Sequence, residues 1–167
     1  CSGHADVVRV LLEAGADVHC ATTMRCTQFG FGGGAPPLAA AMAFGAGDVG
    51  DLVKMLLDAG ADPNYRGHNG GTPAHVAVMF SNAQSLRALL KHAGSRLNVD
   101  QGLKLNKSTS LGLAAYLSKP ECVALLIAAK ANVAHLNSMG ASVLTNAAEN
   151  PATTPDVLDL IFESNQL

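Results

Sequence analysis

Apolar side chains near position 55 recur with the spacing of an α-helix. Leu52, Leu56 and Ala59 fall three or four residues apart, and Val53 and Leu57 lie beside them. Positions three and four apart share one face of a helix, so this spacing predicts an amphipathic helix with a single apolar stripe. One pair of such helices cannot bury its apolar face, and the stripe therefore predicts neighbouring elements that cover it.

The sequence at the end of this helix occurs twice along the chain, with one substitution. The sequence Leu-Leu-Glu-Ala-Gly-Ala-Asp starts at Leu11, and Leu-Leu-Asp-Ala-Gly-Ala-Asp starts at Leu56. In the second copy Gly60 suits the turn that ends a helix, because glycine readily adopts the backbone required there. Equivalent aliphatic positions recur in steps of 45, 33, 37 and 35 residues. A base period near ~33 residues with variable loops predicts a repeat architecture. These positions are Leu11, Leu56, Leu89, Leu126 and Ile161.

A shorter helix is predicted before each of the last four of these helices. The best copy of its start reads Thr72-Pro73-Ala74-His75. Thr72 can cap the helix, Pro73 suits a first position that needs no N–H, and His75 can hydrogen-bond locally in the first turn. The other copies read Pro36-Pro37-Leu38-Ala39, Thr109-Ser110-Leu111-Gly112 and Ser142-Val143-Leu144-Thr145.

These phrases resemble the ankyrin repeat family, whose signature is T-P-L-H-x-A-A, then G-H, a Val-Val-x-Leu-Leu-Leu helix and G-A-D. The nearest copy of the first part is T-P-A-H-V-A, beginning at Thr72. The nearest copy of the second is G-H-A-D-V-V-R-V-L-L, beginning at Gly3. The resemblance covers nearly the whole chain and weakens after Asn98. It implies an all-α solenoid of about five stacked helix-turn-helix units with short β-hairpin or loop fingers.

The resemblance also predicts how the chain is organised. We expect a single ankyrin-repeat domain over 1–167, in which the first repeat lacks its first helix. The native protein is therefore expected to be longer at that end, and the array to be open to continuation past Leu167. The predicted repeats are 1–21 (partial), 36–64, 65–98, 99–132 and 133–167, with an inserted glycine-rich finger at 22–35.

Composition narrows the classes of function. Apolar residues make up 49% of the chain, charged residues 14%, and the net charge is −2. This balance favours neither nucleic acid nor an anionic membrane as a partner. No apolar run approaches the ~20 residues that span a bilayer, and no secretory signal is visible. The cysteines form no C-x-x-C pair, which favours a reducing compartment and a cytoplasmic location. They are Cys1, Cys20, Cys26 and Cys122.

In ankyrin arrays the first helices and the fingers line one concave face, and the resemblance implies that the residues after the Ala-Ala positions point into it. Three of the four pairs there carry a large apolar side chain, and aromatic residues are typical interface anchors. The alternative is that some of these rings pack between neighbouring helices. The pairs are Ala43 and Phe44, Met79 and Phe80, Tyr116 and Leu117, and Glu149 and Asn150.

Finger residues are expected to add contacts at the rim of that face. Phe29 and Phe31 stand on the inserted glycine-rich finger, where they either reach a partner or fold back onto the array. A second insertion, of three residues, falls before Thr109 and includes Leu103-Lys104-Leu105-Asn106-Lys107. The polar finger candidates are Tyr65, Arg66, His68 and Asn69 in one repeat, with Asn137, Ser138 and Met139 two repeats later.

No set of residues in the sequence assembles an active site. His75 is interpreted as a helix-start residue and Cys122 as a buried structural thiol. His19, Cys20 and Cys26 lack the paired spacing of a zinc site. We therefore expect no cofactor, no metal and no catalysis, and we predict recognition of a partner protein or peptide through the concave groove. The alternatives are a substrate-targeting domain of a larger enzyme, such as a kinase, ubiquitin ligase or acyltransferase, and a structural subunit of a large assembly.

Overall fold

The computed structural model describes residues 3–20, 35–45 and 49–164, and within these ranges it contains nine α-helices and no β-strand. The prediction of an all-α repeat fold is confirmed. The fingers in the described ranges are hydrogen-bonded turns and loops. The helices are α1 Gly3–Glu13, α2 Pro37–Phe44, α3 Val49–Asp58, α4 Pro73–Met79, α5 Ala83–Ala93, α6 Ser110–Tyr116, α7 Pro120–Ala128, α8 Val143–Glu149 and α9 Pro155–Ser164, with a 3₁₀ turn at Gly94–Arg96.

The helices start where the sequence carries capping residues. At α4, Pro73 is the first helical residue and Thr72 is the cap, with the Thr72 Oγ1 lying 2.9 Å from Nδ1 of His75. At α6 the Thr109 hydroxyl accepts from the backbone N of Gly112, and at α8 Ser142 plays the same part. Each cap satisfies a backbone donor that the helix itself leaves unpaired. The predicted capping roles of Thr72, Pro73 and His75 are confirmed.

The Gly-Ala-Asp turn ends α1 and α3. Gly60 has a φ of 96°, in the left-handed region, and its N donates to the carbonyl O of Leu57. Asp62 continues the turn, since its carboxylate accepts from the backbone N of Asn64 at 2.8 Å. Asp17 does the same for the backbone N of His19 in the first copy. The doubled phrase is therefore a structural turn, as the resemblance implied.

The chain divides into two compact units, Cys1–Leu97 and Asn98–Leu167, here called the N-terminal and C-terminal modules. In the N-terminal module α2 packs against α4 and α3 packs against both α5 and α1. In the C-terminal module α6 packs against α8 and α7 against α9. Within each module, a helix thus contacts the equivalent helix of the neighbouring repeat. The single domain over 1–167 stays a prediction.

The recurring aliphatic positions form the core of both modules. Leu56, Leu89, Leu126 and Ile161 are all buried. Leu11 differs, because it is exposed although α1 packs against α3. The exposed apolar residues of α1 are Val7, Val10 and Leu11.

A side-chain amide ties successive repeats together in each module. In the N-terminal module Nδ2 of Asn82 donates to the carbonyl O of Gly45 at 2.9 Å. In the C-terminal module Nδ2 of Asn150 donates to the carbonyl O of Tyr116 at 2.6 Å. Both bonds join the turn after one short helix to the C-terminal end of the previous short helix. These carbonyls have no partner within their own helices, so the asparagines satisfy groups that a helix end leaves open.

Candidate protein-interaction surface

The C-terminal ends of the short helices carry exposed aromatic side chains in the N-terminal module. Phe44 is the last residue of α2 and is 61% exposed. Met79 ends α4 and is also exposed, while Phe80 follows it and is half-buried. The rings of Phe44 and Phe80 are in tilted contact, with centroids 5.5 Å apart. The structure therefore brings these three predicted partner-binding residues to equivalent helix ends, and it joins two of them as a pair.

The equivalent helix end in the C-terminal module carries Tyr116 and Leu117. Tyr116 is the last residue of α6 and is 48% exposed, whereas Leu117 is half-buried. One repeat later Glu149 is exposed, but the amide of Asn150 holds the Tyr116 carbonyl. In this pair, which the resemblance placed in the groove, Asn150 thus also bonds to the previous repeat. The apolar residues predicted for the groove in this module, Tyr116 and Leu117, lie at the end of α6, one exposed and one half-buried.

The finger before α4 is a tight turn. The backbone N of Gly67 donates to the carbonyl O of Gly71, and Oδ1 of Asn69 accepts from the Gly71 N at 3.0 Å. His68 at the tip and Arg66 before it are exposed, while Tyr65 is half-buried. The turn places the side chains of Arg66 and His68 in solvent and uses the Asn69 side chain to hold its own backbone.

The finger before α8 is built in the same way. The backbone N of Asn137 donates to the carbonyl O of Ala141, and Oδ1 of Asn137 accepts from the backbone N of both Met139 and Ala141. Gly140 takes a φ of 76°, which an L side chain rarely adopts. Asn137 is therefore a turn residue, and the most exposed large apolar side chain of this finger is Met139, at 84%.

The three-residue insertion before α6 forms a closed loop. The backbone N of Leu103 donates to the carbonyl O of Ser108 at 3.0 Å, and that of Lys107 donates to the carbonyl O of Leu103 at 3.1 Å. Gly102 lies so near Lys107 that a Cβ at that position would stand 2.6 Å from the Lys107 carbonyl O. The loop has a defined shape because these bonds and this close approach hold it.

Sequence reasoning missed two exposed apolar residues beside these fingers. Leu105, at the tip of the inserted loop, is 89% exposed, and Leu136 is 57% exposed. The sequence signal for the exposure of Leu105 was an apolar residue flanked by Lys104 and Asn106, within an insertion that lies outside the repeat pattern. Phe29 and Phe31, on the other predicted finger, lie outside the described residues.

A family model described as "Ankyrin repeats (3 copies)" matches residues 38–134, which is more than half of the chain. The chain belongs to the ankyrin repeat family. A second model, described as "Ankyrin repeat", matches residues 1–23. Ankyrin repeats are general protein–protein interaction modules, and they are typically non-catalytic. The recognition made from the repeated phrases is confirmed.

Named relatives share this array over short parts of much longer proteins. The human transient receptor potential cation channel subfamily A member 1 is 30% identical over 98 residues, which is 59% of this chain and 8% of the channel. The neurogenic locus Notch protein of Drosophila melanogaster is 37% identical over 83 residues, or 50% of this chain and 3% of that protein. Glycerophosphocholine phosphodiesterase gde1 of Schizosaccharomyces pombe is 30% identical over 115 residues, or 69% of this chain and 10% of that protein. The ankyrin chain thus spans at most about a tenth of the length of these three relatives.

His75 and Cys122, whose residue types can act in catalysis, have structural roles in this ankyrin chain. His75 is buried, and its Nδ1 accepts from the backbone N of Thr72 at 3.4 Å, which completes the helix cap. Cys122 is buried in α7, and burial raises the pKa of its thiol to about 11. A thiol with that pKa is almost wholly protonated near neutral pH and is a poor nucleophile. The interpretation of both residues as structural is confirmed.

The described ranges hold neither a metal cluster nor a membrane span. No group of three or more His, Cys, Asp or Glu side chains within them could bind a metal ion. Of the residues considered for zinc, His19 and Cys20 are exposed and Cys26 falls in the part of the chain that is not described. Every helix in residues 3–20, 35–45 and 49–164 is too short or too polar to cross a bilayer.

Proposed function

We propose that this chain is a protein-binding module that recognises a partner protein or peptide through the concave groove and finger loops of its ankyrin array, without catalysis of its own. One observation carries the proposal. Each short helix from α2 to α6 ends in an exposed large side chain, while the residue two positions earlier is fully buried. The exposed residues are Phe44, Met79 and Tyr116, and the buried ones are Met42, Ala77 and Ala114.

This contrast supports binding because a partner that covers the exposed ends would gain the free energy of burying their apolar area. Apolar area left in water costs roughly 25 cal/mol per Å² relative to burial. Aromatic side chains are among the commonest anchors of protein interfaces, since they bury much area with little loss of side-chain freedom. Phe44 and Tyr116 are therefore the proposed anchors. A cytoplasmic location fits the free cysteines and belongs to the same proposal.

A second candidate is a substrate-targeting domain attached to an enzyme. The match to the Schizosaccharomyces pombe phosphodiesterase favours it, because that match covers 69% of this chain but only 10% of a protein named as an enzyme. In this case the ankyrin array would still bind a protein, and a separate part would carry the chemistry. The full open reading frame around this sequence decides between the two candidates.

Selection from a displayed random dodecapeptide library, followed by fluorescence anisotropy with the enriched peptides, tests the proposal. Phe44→Ala/Tyr116→Ala is expected to weaken binding at least tenfold, because interface anchors of this kind contribute ~2 kcal/mol or more. Phe162→Ala is the matched control, since Phe162 is an exposed aromatic of α9 outside the proposed surface. Phe44→Ala also removes the contact with the Phe80 ring, so Tyr116→Ala is measured alone as well, and the half-buried Phe80 is left unchanged.

The melting temperature separates the two roles of these rings. Binding that survives in Phe44→Ala/Tyr116→Ala while the melting temperature falls by several degrees would show that the rings stabilise the fold and do not anchor a partner. A library that yields no binder would count against peptide recognition by this chain.

A further inference from the structure

Three of the most exposed apolar side chains of the C-terminal module lie on two adjoining fingers. Leu105 is on the inserted loop before α6, and Leu136 and Met139 are on the finger before α8. Lys104 and Lys107 flank Leu105 and are exposed as well. We call these five residues the finger patch.

Hydrogen bonds hold the two fingers of the patch together. The backbone N of Ser138 donates to the carbonyl O of Asn106 at 2.8 Å, and the Ser138 hydroxyl donates to the carbonyl O of Leu105 at 3.4 Å. Nε2 of His135 donates to the carbonyl O of Lys107 at 2.8 Å. Leu105 therefore carries one of these bonds itself, and Met139 directly follows Ser138. The apolar side chains are presented on a shaped, cross-linked surface, so a partner loses little by ordering it.

The two loops of the patch contain lysines and no acidic residue in their own sequences. Residues 101–109 contain Lys104 and Lys107 and no acidic residue, and residues 133–142 contain no charged residue apart from the titratable His135. The carboxylate of Asp100, which precedes the inserted loop, accepts from the backbone N of Asn132. The C-terminal module as a whole has four lysines and six acidic residues, so positive charge is concentrated where the exposed leucines are.

From this combination we infer that the finger patch binds an acidic protein segment that also carries aliphatic or aromatic side chains. The inference rests on the proposed protein-binding function and names a docking surface and a partner chemistry for it. Apolar side chains of the segment cover Leu105, Leu136 and Met139, and its carboxylates face Lys104 and Lys107. Complementary charge of this kind fixes orientation and speeds association.

An anionic membrane would also offer apolar and acidic groups, but the observations favour a protein. Sequence-readable recognition of anionic lipid uses clusters of about four to eight basic residues, each contributing about 1 kcal/mol. The finger patch has two lysines, and it stands in a module with more acidic than basic residues. Membership of a family that serves protein interaction points the same way.

The same dodecapeptide library and the 167-residue chain test the inference. Enriched peptides are expected to combine Asp or Glu with Leu, Ile or Phe. Leu105→Ser/Met139→Ser is expected to weaken their binding at least tenfold without changing the melting temperature, because both side chains are exposed. Phe162→Ser is the matched control in the same module and should bind as the unmodified chain does. Lys104→Gln/Lys107→Gln should weaken binding about fivefold to tenfold in low salt and flatten its dependence on salt.

The possible results separate this inference from the proposed function. Peptides lost on Phe44→Ala/Tyr116→Ala but kept by Leu105→Ser/Met139→Ser would overturn the finger patch and leave the groove standing. Absence of any enriched peptide would overturn the finger patch as a site for an acidic segment and would count against peptide recognition by the groove. Enriched peptides that are basic or uncharged would overturn the partner chemistry. Vesicles of phosphatidylcholine with phosphatidylserine that sediment the chain, but not its Leu105→Ser/Met139→Ser variant, would replace the protein partner by a membrane.

Discussion

Replacing Asn82 by alanine should destabilise the N-terminal module by about 2 kcal/mol. The Asn82 side chain makes two bonds of different kinds: Oδ1 accepts from the backbone N of Ser85 at 3.0 Å, and Nδ2 donates to the carbonyl O of Gly45 at 2.9 Å. The first is the N-cap of α5, whose loss typically costs ~1 kcal/mol. The second joins two repeats, and a hydrogen bond of this type contributes about 1 kcal/mol net.

Asn82→Ser separates the two contributions. Serine caps a helix about as well as asparagine does, but its hydroxyl is too short to reach the Gly45 carbonyl as well. We therefore expect Asn82→Ser to lower the free energy of unfolding by about 1 kcal/mol, half of the loss in Asn82→Ala, because only the bond between repeats is lost. Both variants leave the helix sequence of α5 unchanged.

Urea unfolding followed by circular dichroism measures both losses as shifts of the midpoint at constant slope. In a thermal scan the alanine variant should melt roughly 4–8 °C lower, since each 1 kcal/mol corresponds to about 2–4 °C in a chain of this size. Equal losses in the two variants would refute a capping contribution. A loss below about 0.5 kcal/mol in Asn82→Ala would refute the whole assignment, because that is the range of ordinary surface substitutions.

Two further outcomes test the helix packing and the buried thiol. A Cβ added at Gly112 would stand 3.0 Å from Nδ2 of Asn146. Crowding there should cost ~1–3 kcal/mol, whereas the higher helix propensity of alanine contributes up to ~1 kcal/mol. We therefore expect urea unfolding to show that Gly112→Ala lowers the free energy of unfolding by about 1 kcal/mol. In an Asn146→Ser background the same change should stabilise, and destabilisation there would show that crowding by Asn146 is not the cause. At pH 8, iodoacetamide should label Cys20 and spare Cys122 in peptide mapping, because Cys20 is exposed and the pKa of Cys122 is about 11. Labelling of Cys122 should rise steeply towards that pH or on unfolding, and equal labelling of both thiols in the folded chain would contradict the burial.

Local signals along the chain were enough to predict the repeat and its helix ends. Pro73 and Thr72 act within one turn of α4, and Gly60 acts within one turn of α3, so their roles follow from neighbours in sequence. The aliphatic positions from Leu56 to Ile161 could also be predicted, because a period near ~33 residues puts each of them at the equivalent place in its own repeat. Burial of those positions is the direct result of that period.

The candidate surface was less predictable, since it depends on contacts between distant residues. Asn150 was expected to be one of a pair of residues that line the groove, and no local pattern showed that its amide would meet the carbonyl of Tyr116, 34 residues earlier. Leu105 is a leucine, a residue type that is often buried in the core. It is 89% exposed in a loop that the close approach of Gly102 to Lys107 helps to close, and no local pattern indicates that approach. The partner-binding roles of the exposed residues stay predictions.

The two ends of α6 have different consequences for how this protein can change over evolutionary time. At its C-terminal end the hydroxyl of Ser118 accepts from the backbone N of Thr154, and Asn150 meets Tyr116, so a change of length there would put successive repeats out of register. At its N-terminal end the loop from Gly102 closes on itself, and its bonds to the next finger are accepted by backbone carbonyl groups of Leu105, Asn106 and Lys107. Side chains on this loop can therefore change in kind without losing those bonds, which makes the finger end of the repeat the natural place to introduce new recognition side chains.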